Sequence, residues 1–186
     1  MPTPARIPRP APSEFDPSYA DYVAEIDGDD ALAVLSSQLA RTERMLGALT
    51  DARANGRYAP DKWSVKQVVG HLCDNERIYA YRALRFARGD ATPLANFDEN
   101  LYAQTGRFDH RAIADLLDEF RSVRAATISL FASFDPEALD RVGVARGLSM
   151  SVRALGWIAL GHVEHHLGVL RARYGIALPG PAAGAE

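Results

Sequence analysis

Three of the chain's five histidines fall within five residues, His162-Val163-Glu164-His165-His166. At about 100° per residue, His166 lies about 40° around a helix from His162, one turn on, and shares that side with Leu155, Ile158 and Val169. Glu164 falls on the opposite, solvent side and His165 at the edge of the apolar face. Two imidazoles at i, i+4 can clamp one divalent cation through nitrogen at about 2.0–2.1 Å. Val163 stands where a His-Glu-x-x-His zinc protease carries its general base, which removes that mechanism. A third ligand must come from another helix, and His71, on the flank of the stripe Val68, Leu72, Tyr79, Phe86, is a candidate. Three neutral histidines leave open positions, as catalytic metal sites do, for water or a substrate thiol that the metal acidifies. The same residues admit a plainer account, in which each is a core histidine with a satisfied hydrogen bond. His110, beside a helix start, belongs to the surface. Helical spacing alone offers Asn75, Tyr79, Arg82 and Arg173 as pocket residues. The two arginines could hold a thiol's carboxylates or be ordinary solvated or ion-paired side chains.

The elements that position these residues follow from hydrophobic period. Leu32, Leu35, Leu39, Met45, Leu46 and Leu49 predict a first helix over residues 30–54, stopped by Asn55-Gly56. Ser64 followed by Gln67 is a capping box, and the helix it opens runs past Val68, Leu72, Tyr79 and Phe86 to Gly89. Residues 89–108 show no sustained period and read as a long loop, a kind that is usually functional or well packed. A third helix starts with Asp109 as N-cap and carries Ile113, Leu116, Leu117, Phe120, Val123, Ile128 and Phe131 inward, ending before Asp135-Pro136. Residues 136–147 read as an irregular connection. A fourth helix runs from Ser149 or Ser151 to Tyr174, with Gly175 as its C-cap. No alternating run competes, so no sheet is expected. The sum is an all-α four-helix bundle, one domain over residues 29–175. Six prolines in the first 17 residues make residues 1–28 an extended, loosely packed tail, and residues 176–186 a second loose tail.

The chain has 186 residues, 47% hydrophobic and 24% charged, which suits one ordinary core that needs neither metal nor disulfide to hold its fold. Any metal would therefore be functional. A net charge of -3 favours neither nucleic acid nor an anionic membrane surface, and no apolar run approaches the roughly 20 residues of a membrane span. The single cysteine, Cys73, sits two residues after His71 and so on another helix face; it reads as a bystander thiol in a reducing cytoplasm.

The order Trp63-Ser64-Val65-Lys66-Gln67-Val68-Val69-Gly70-His71-Leu72, then Asp74 and Glu76, a loop with Asn96-Phe97-Asp98-Glu99, and His162-Val163-Glu164-His165-His166-Leu167 resembles the DinB-like superfamily of four-helix metalloproteins. The resemblance spans residues 30–174. It implies that His71, His162 and His166 bind a divalent metal ion, nickel (Ni²⁺) or zinc (Zn²⁺). It further implies a thiol-dependent S-transferase, in which the metal helps a low-molecular-weight thiol such as bacillithiol, mycothiol or glutathione become a thiolate nucleophile toward a small electrophilic substrate. A homodimer is a weaker implication. Two alternatives stand beside this activity: a metal-dependent hydrolase using the same ligands, and a metal-binding, stress-associated bundle without catalysis.

Overall fold

The computed structural model describes residues 6–178. These contain eight α-helices and one two-stranded hairpin: α1 (Ala20–Ala24), α2 (Ala31–Leu46), α3 (Asp51–Ala54), α4 (Val65–Ala87), α5 (Glu99–Thr105), α6 (Ile113–Ala132), α7 (Pro136–Asp140), β1 (Val142–Ala145), β2 (Leu148–Ser151) and α8 (Val152–Tyr174). The four long helices α2, α4, α6 and α8 form the bundle, with α4 packed on α6 and α8, and α2 closing the other side against both. Among the described residues no helix is long and apolar enough to cross a membrane.

Each long helix buries two apolar stretches separated by polar residues. One cluster takes Ala31 and Leu35 of α2, Tyr79, Ala83 and Phe86 of α4, Phe131 of α6, and Val152 to Leu160 of α8. The other takes Met45 and Leu46, Val65 to Cys73, Ile113 to Phe120, and Val163 to Leu170. Between them lie the buried Gln38, Thr42, His71, Asn75, Glu76, Arg124, Thr127 and His162, so a polar layer cuts the bundle at mid-height. The order of the clusters along each helix also gives its direction. α2 and α8 run one way and α4 and α6 the other. Because α4 and α6 are parallel, the connection between them must climb the length of the bundle, which accounts for the long segment containing α5.

Caps and turns explain where the helices depart from their sequence periods. The first predicted helix breaks at Gly47, and Thr50 restarts the chain as the N-cap of α3, accepting from the Arg53 amide. The break aims Asp51 at the start of α6, where its carboxylate accepts from the Ile113 amide at 2.8 Å and pairs with Lys66 at 3.0 Å. With that terminus capped from afar, Asp109 is not the N-cap of α6. It sits in the 3₁₀ turn Phe108–His110 and accepts from the Ser64 hydroxyl and from Arg57. The capping box at Ser64 and Gln67 forms as expected, and Ser151 caps α8, which ends on Gly175 at φ 64°.

Three further expectations are corrected. The irregular connection contains α7 and an antiparallel hairpin, Val142 pairing Ser151 through to Ala145 pairing Leu148. Its strands are four residues each, too short to stand out as alternation in sequence. The loop over residues 89–108 holds α5 and docks on the hairpin, with Leu94 donating to Val144 and accepting from Arg146.

The proline-rich segment is not loosely packed where it is described. Ile7 exchanges hydrogen bonds with Asp30 and Ala31, Trp157 donates to the Pro8 carbonyl at 3.0 Å, and Arg9 lies over the Trp157 ring. Tyr19, Val23 and Ile26 are buried against α8. Prolines have no N–H to leave unpaired, so a proline strap can cross a core surface with few backbone donors to satisfy. Residues 1–5 and 179–186 lie outside the described residues; of the second tail, Ile176 is buried.

Candidate metal centre

The polar layer brings His71 of α4 and His162 of α8 together, their Nε2 atoms 3.0 Å apart and their rings tilted by 59°. His166 follows one turn up α8, and the three ring-to-ring distances run from 4.6 to 4.9 Å. One nitrogen from each ring lies within 4.8 Å of the other two. A tetrahedral ion with bonds of 2.0–2.1 Å separates its ligand atoms by about 3.3 Å, so this donor set fits one ion with small side-chain adjustments.

Burial sets the charge state. His71 is pushed down to about 4 and His166 to about 3, in both cases mainly by desolvation, and the enclosed His162 is held well below 6.5 by burial and then by the neighbouring imidazoles. All three are neutral near pH 7, the form that donates a lone pair to a metal.

The site opens into a cavity of about 420 Å³. Asn75, one turn after His71, places its amide nitrogen 2.6 Å from His162 Nε2. Trp63 covers His71 at 4.8 Å between ring centres and runs nearly parallel to His166. Tyr79 meets His162 edge-on at 5.8 Å, and Tyr22 stands 6.1 Å from the same ring. Behind His162 the backbone is braced. Arg124 makes a bidentate pair with Glu76, 2.7 Å on each arm, and donates to Gln38 and the Leu35 carbonyl, while Gln38 donates to the Leu160 carbonyl at 3.0 Å. All four long helices meet in this network, two residues from His162.

His71, His162 and His166 are thus brought together, as are Asn75, Tyr79 and Arg82, which line the same cavity. Arg173 is not; it is exposed in a separate surface cleft with Glu25 and Glu164. His165 is exposed at the cavity rim, 5.6 Å from the Tyr22 ring, and His110 is on the surface. Glu164 is not simply solvated; it accepts from Arg41 and lies within 3.5 Å of Gln38. Sequence reading missed Tyr19, Tyr22 and Arg146 and named Phe97 and Glu99 only as part of the family pattern; all five line the cavity. A signal for the first two was present, since Tyr19, Tyr22, Val23 and Ile26 follow helical spacing.

Among curated proteins no sequence match is found. Solved structures that share the fold include these two. One is YfiT from Bacillus subtilis, described as a probable metal-dependent hydrolase with an unusual four-helix bundle topology; it matches with a TM-score of 0.65 and 20% identity over 79% of this chain and 87% of its own. The other is a mycothiol-dependent maleylpyruvate isomerase, with a TM-score of 0.64 and 13% identity over 80% of this chain; the match spans only 63% of the isomerase. A family model covers residues 35–170, which include every long helix of the bundle almost entirely and all three converging histidines, and by that match the chain belongs to the DinB superfamily.

Proposed function

We propose that His71, His162 and His166 hold one divalent ion, nickel or zinc, and that the site activates a low-molecular-weight thiol for transfer to a small electrophile. The observation that carries this reading is the convergence of three imidazoles, neutral through burial, on a cavity of small-molecule size. A divalent ion there supplies Lewis acidity, lowering the pKa of a thiol or water that takes one of its open positions. The protein's own groups do the rest. Asn75 lies within hydrogen-bond reach of the same His162 Nε2 that faces His71, so it stands beside the ligand atoms and must yield that lone pair to a bound ion, and Trp63, Tyr22 and Tyr79 wall the site from bulk water. Cys73 is not the nucleophile. Its thiol points to the Leu116 carbonyl on another face of α4, and burial pushes it up to about 12. The reacting thiol must therefore come from solution, and such thiols are kept reduced in a cytoplasm, where we place the protein. In the transfer the thiol loses its proton, sulfur forms the new C–S bond, and the leaving group departs with its bonding pair.

Metal-dependent hydrolysis is the second reading, favoured by the likeness in fold to the probable hydrolase YfiT. It uses the same three ligands and no thiol. The test is turnover by protein loaded with Ni²⁺ or Zn²⁺, using monochlorobimane with a panel of thiols. Conjugation that needs both metal and thiol, and is lost in His162→Ala, is the expected result. Cleavage of esters or amides without thiol selects hydrolysis instead. Inactivity in both assays with metal bound leaves a metal-binding bundle without turnover.

A further inference from the structure

The cavity has a second polar end, away from the imidazoles. His71, Asn75, Tyr79 and Arg82 follow one another along α4 at steps of four, four and three residues, and all line the cavity as a single stripe. Arg82 is 3% exposed. Its guanidinium has five N–H donors, yet its hydrogen bonding amounts to one long contact, 3.3 Å to the Ala95 carbonyl, and no carboxylate among the described residues pairs with it. Arg124 shows what a fully enclosed guanidinium in this protein otherwise has: Glu76, Gln38 and a backbone carbonyl. A desolvated cation without an anion is unfavourable until one arrives.

Two independent features point the same way. The Tyr19 hydroxyl is buried, belongs to a residue lining this cavity, and has no hydrogen-bond partner among the described residues. Arg146 occupies the first central position of the hairpin turn at φ 50°, followed by Gly147 at φ 79°. Left-handed conformation at both central residues suits Asn-Gly or Gly-Gly, and an arginine there is strained. The strained residue is itself exposed and lines the cavity, adding a second cation at its mouth. The cavity's own carboxylate, Glu99, acts electrostatically on His71 at the imidazole end.

We propose that the cavity binds a substrate bearing a carboxylate, paired with Arg82 and Arg146 and hydrogen-bonded by Tyr19, while the other end of the same molecule reaches the three histidines. The assignment of the reacting end rests on the proposed function. The anion subsite stands on residues that are not metal ligands. An arginine fork matches a carboxylate in both shape and charge, and the aromatic rings of Tyr22, Tyr79 and Phe97 along the same cavity suit a flat or apolar middle portion.

The test is a ligand-observed NMR titration of the full-length, metal-free protein with benzoate and with benzamide, its neutral isostere. Benzoate is expected to bind about tenfold or more tightly than benzamide. Arg82→Gln and Arg146→Asn should each weaken benzoate by a similar factor and leave benzamide unchanged. Arg146→Asn suits the turn, so weakened binding with an unchanged or raised Tm would come from the lost cation and not from misfolding. Equal affinity for the two ligands, no benzoate binding, or a benzoate affinity untouched by both substitutions overturns the inference. Because no metal is present, the outcomes separate. A protein that binds benzoate but takes up no metal refutes the proposed function alone, and one that takes up metal but no benzoate refutes this inference alone.

Discussion

Gly161 lies directly beneath the backbone of Tyr22: a Cβ on Gly161 would stand 2.2 Å from the Tyr22 carbonyl oxygen. The segment ahead of the bundle therefore rests on α8 one residue before His162, and only a missing side chain permits it. Gly70, one residue before His71, does the same for the Phe108 ring, whose atoms would lie 2.4 Å from an added Cβ.

Gly161→Ala is predicted to lift the Tyr22 segment from α8, because backbone cannot rotate aside as a side chain can. Overpacking of this kind costs about 1–3 kcal/mol. A lowered Tm together with faster proteolysis between residues 6 and 28 would be the signature. Unchanged protection of that segment would show that the contact is not tight.

His71→Ala, His162→Ala and His166→Ala are each predicted to cost metal affinity more than the roughly 10–100-fold typical of losing a supporting hydrogen bond. His165→Ala should change it less than tenfold. Metal content and dissociation constants, measured on variants shown to be helical, give the order. Retention of metal by His166→Ala with loss in His165→Ala would reverse the assignment on α8.

The metal-free protein should lose stability as pH falls from about 6.5 toward 4. In the unfolded chain an imidazole takes a proton near 6.5, whereas His71 and His166 in the fold resist protonation until about 4 and about 3. The unfolded state binds more protons throughout that window, so stability drops with falling pH, by at most about 1.4 kcal/mol per pH unit for each group. Urea midpoints between pH 7 and pH 4 test this, and His166→Ala should show a shallower decline than the parent. A flat profile would mean that the imidazoles are not buried in the neutral form.

Glu76→Gln is predicted to cost about 3–5 kcal/mol, since it leaves the enclosed Arg124 without its counter-charge. Replacing both partners, as Glu76→Leu with Arg124→Met, should cost less than the single change. Denaturant unfolding of the three proteins decides it. A double variant less stable than Glu76→Gln would mean that the hydrogen bonds to Gln38 and Leu35 matter more than the ion pair.

The parts of this protein written in local chemistry were readable from its sequence. The capping box at Ser64 and Gln67, the Ser151 cap, Gly175, and the one-turn spacing of His162 and His166 each depend on neighbours a few residues away. What escaped depends on distant partners. Asp109 has an ideal capping side chain, but Asp51 reaches the start of α6 first in space. Arg146 looks like any surface arginine until the hairpin turns it to the cavity. The proline strap reads as a tail because its anchors, Trp157 and Asp30, lie elsewhere in the chain. Arg82 and Arg173 were equivalent by helical spacing, and tertiary packing alone separated them, one into the cavity and the other to the surface.

His71 and His162 are 91 residues apart in the chain. In a chain still searching for its fold, closing so long a loop carries an entropic penalty, and only the His162 and His166 rings are neighbours through local helix alone. Two imidazoles at i, i+4 offer fewer bonds than the closed set of three. On the proposed function, selection among metals would follow closure of the bundle, when the fixed spacing of three nitrogens and the walls around them set which ion fits. On that reading folding comes first and metal second, the reverse of small zinc modules whose ligands sit close in sequence and whose fold waits for the ion.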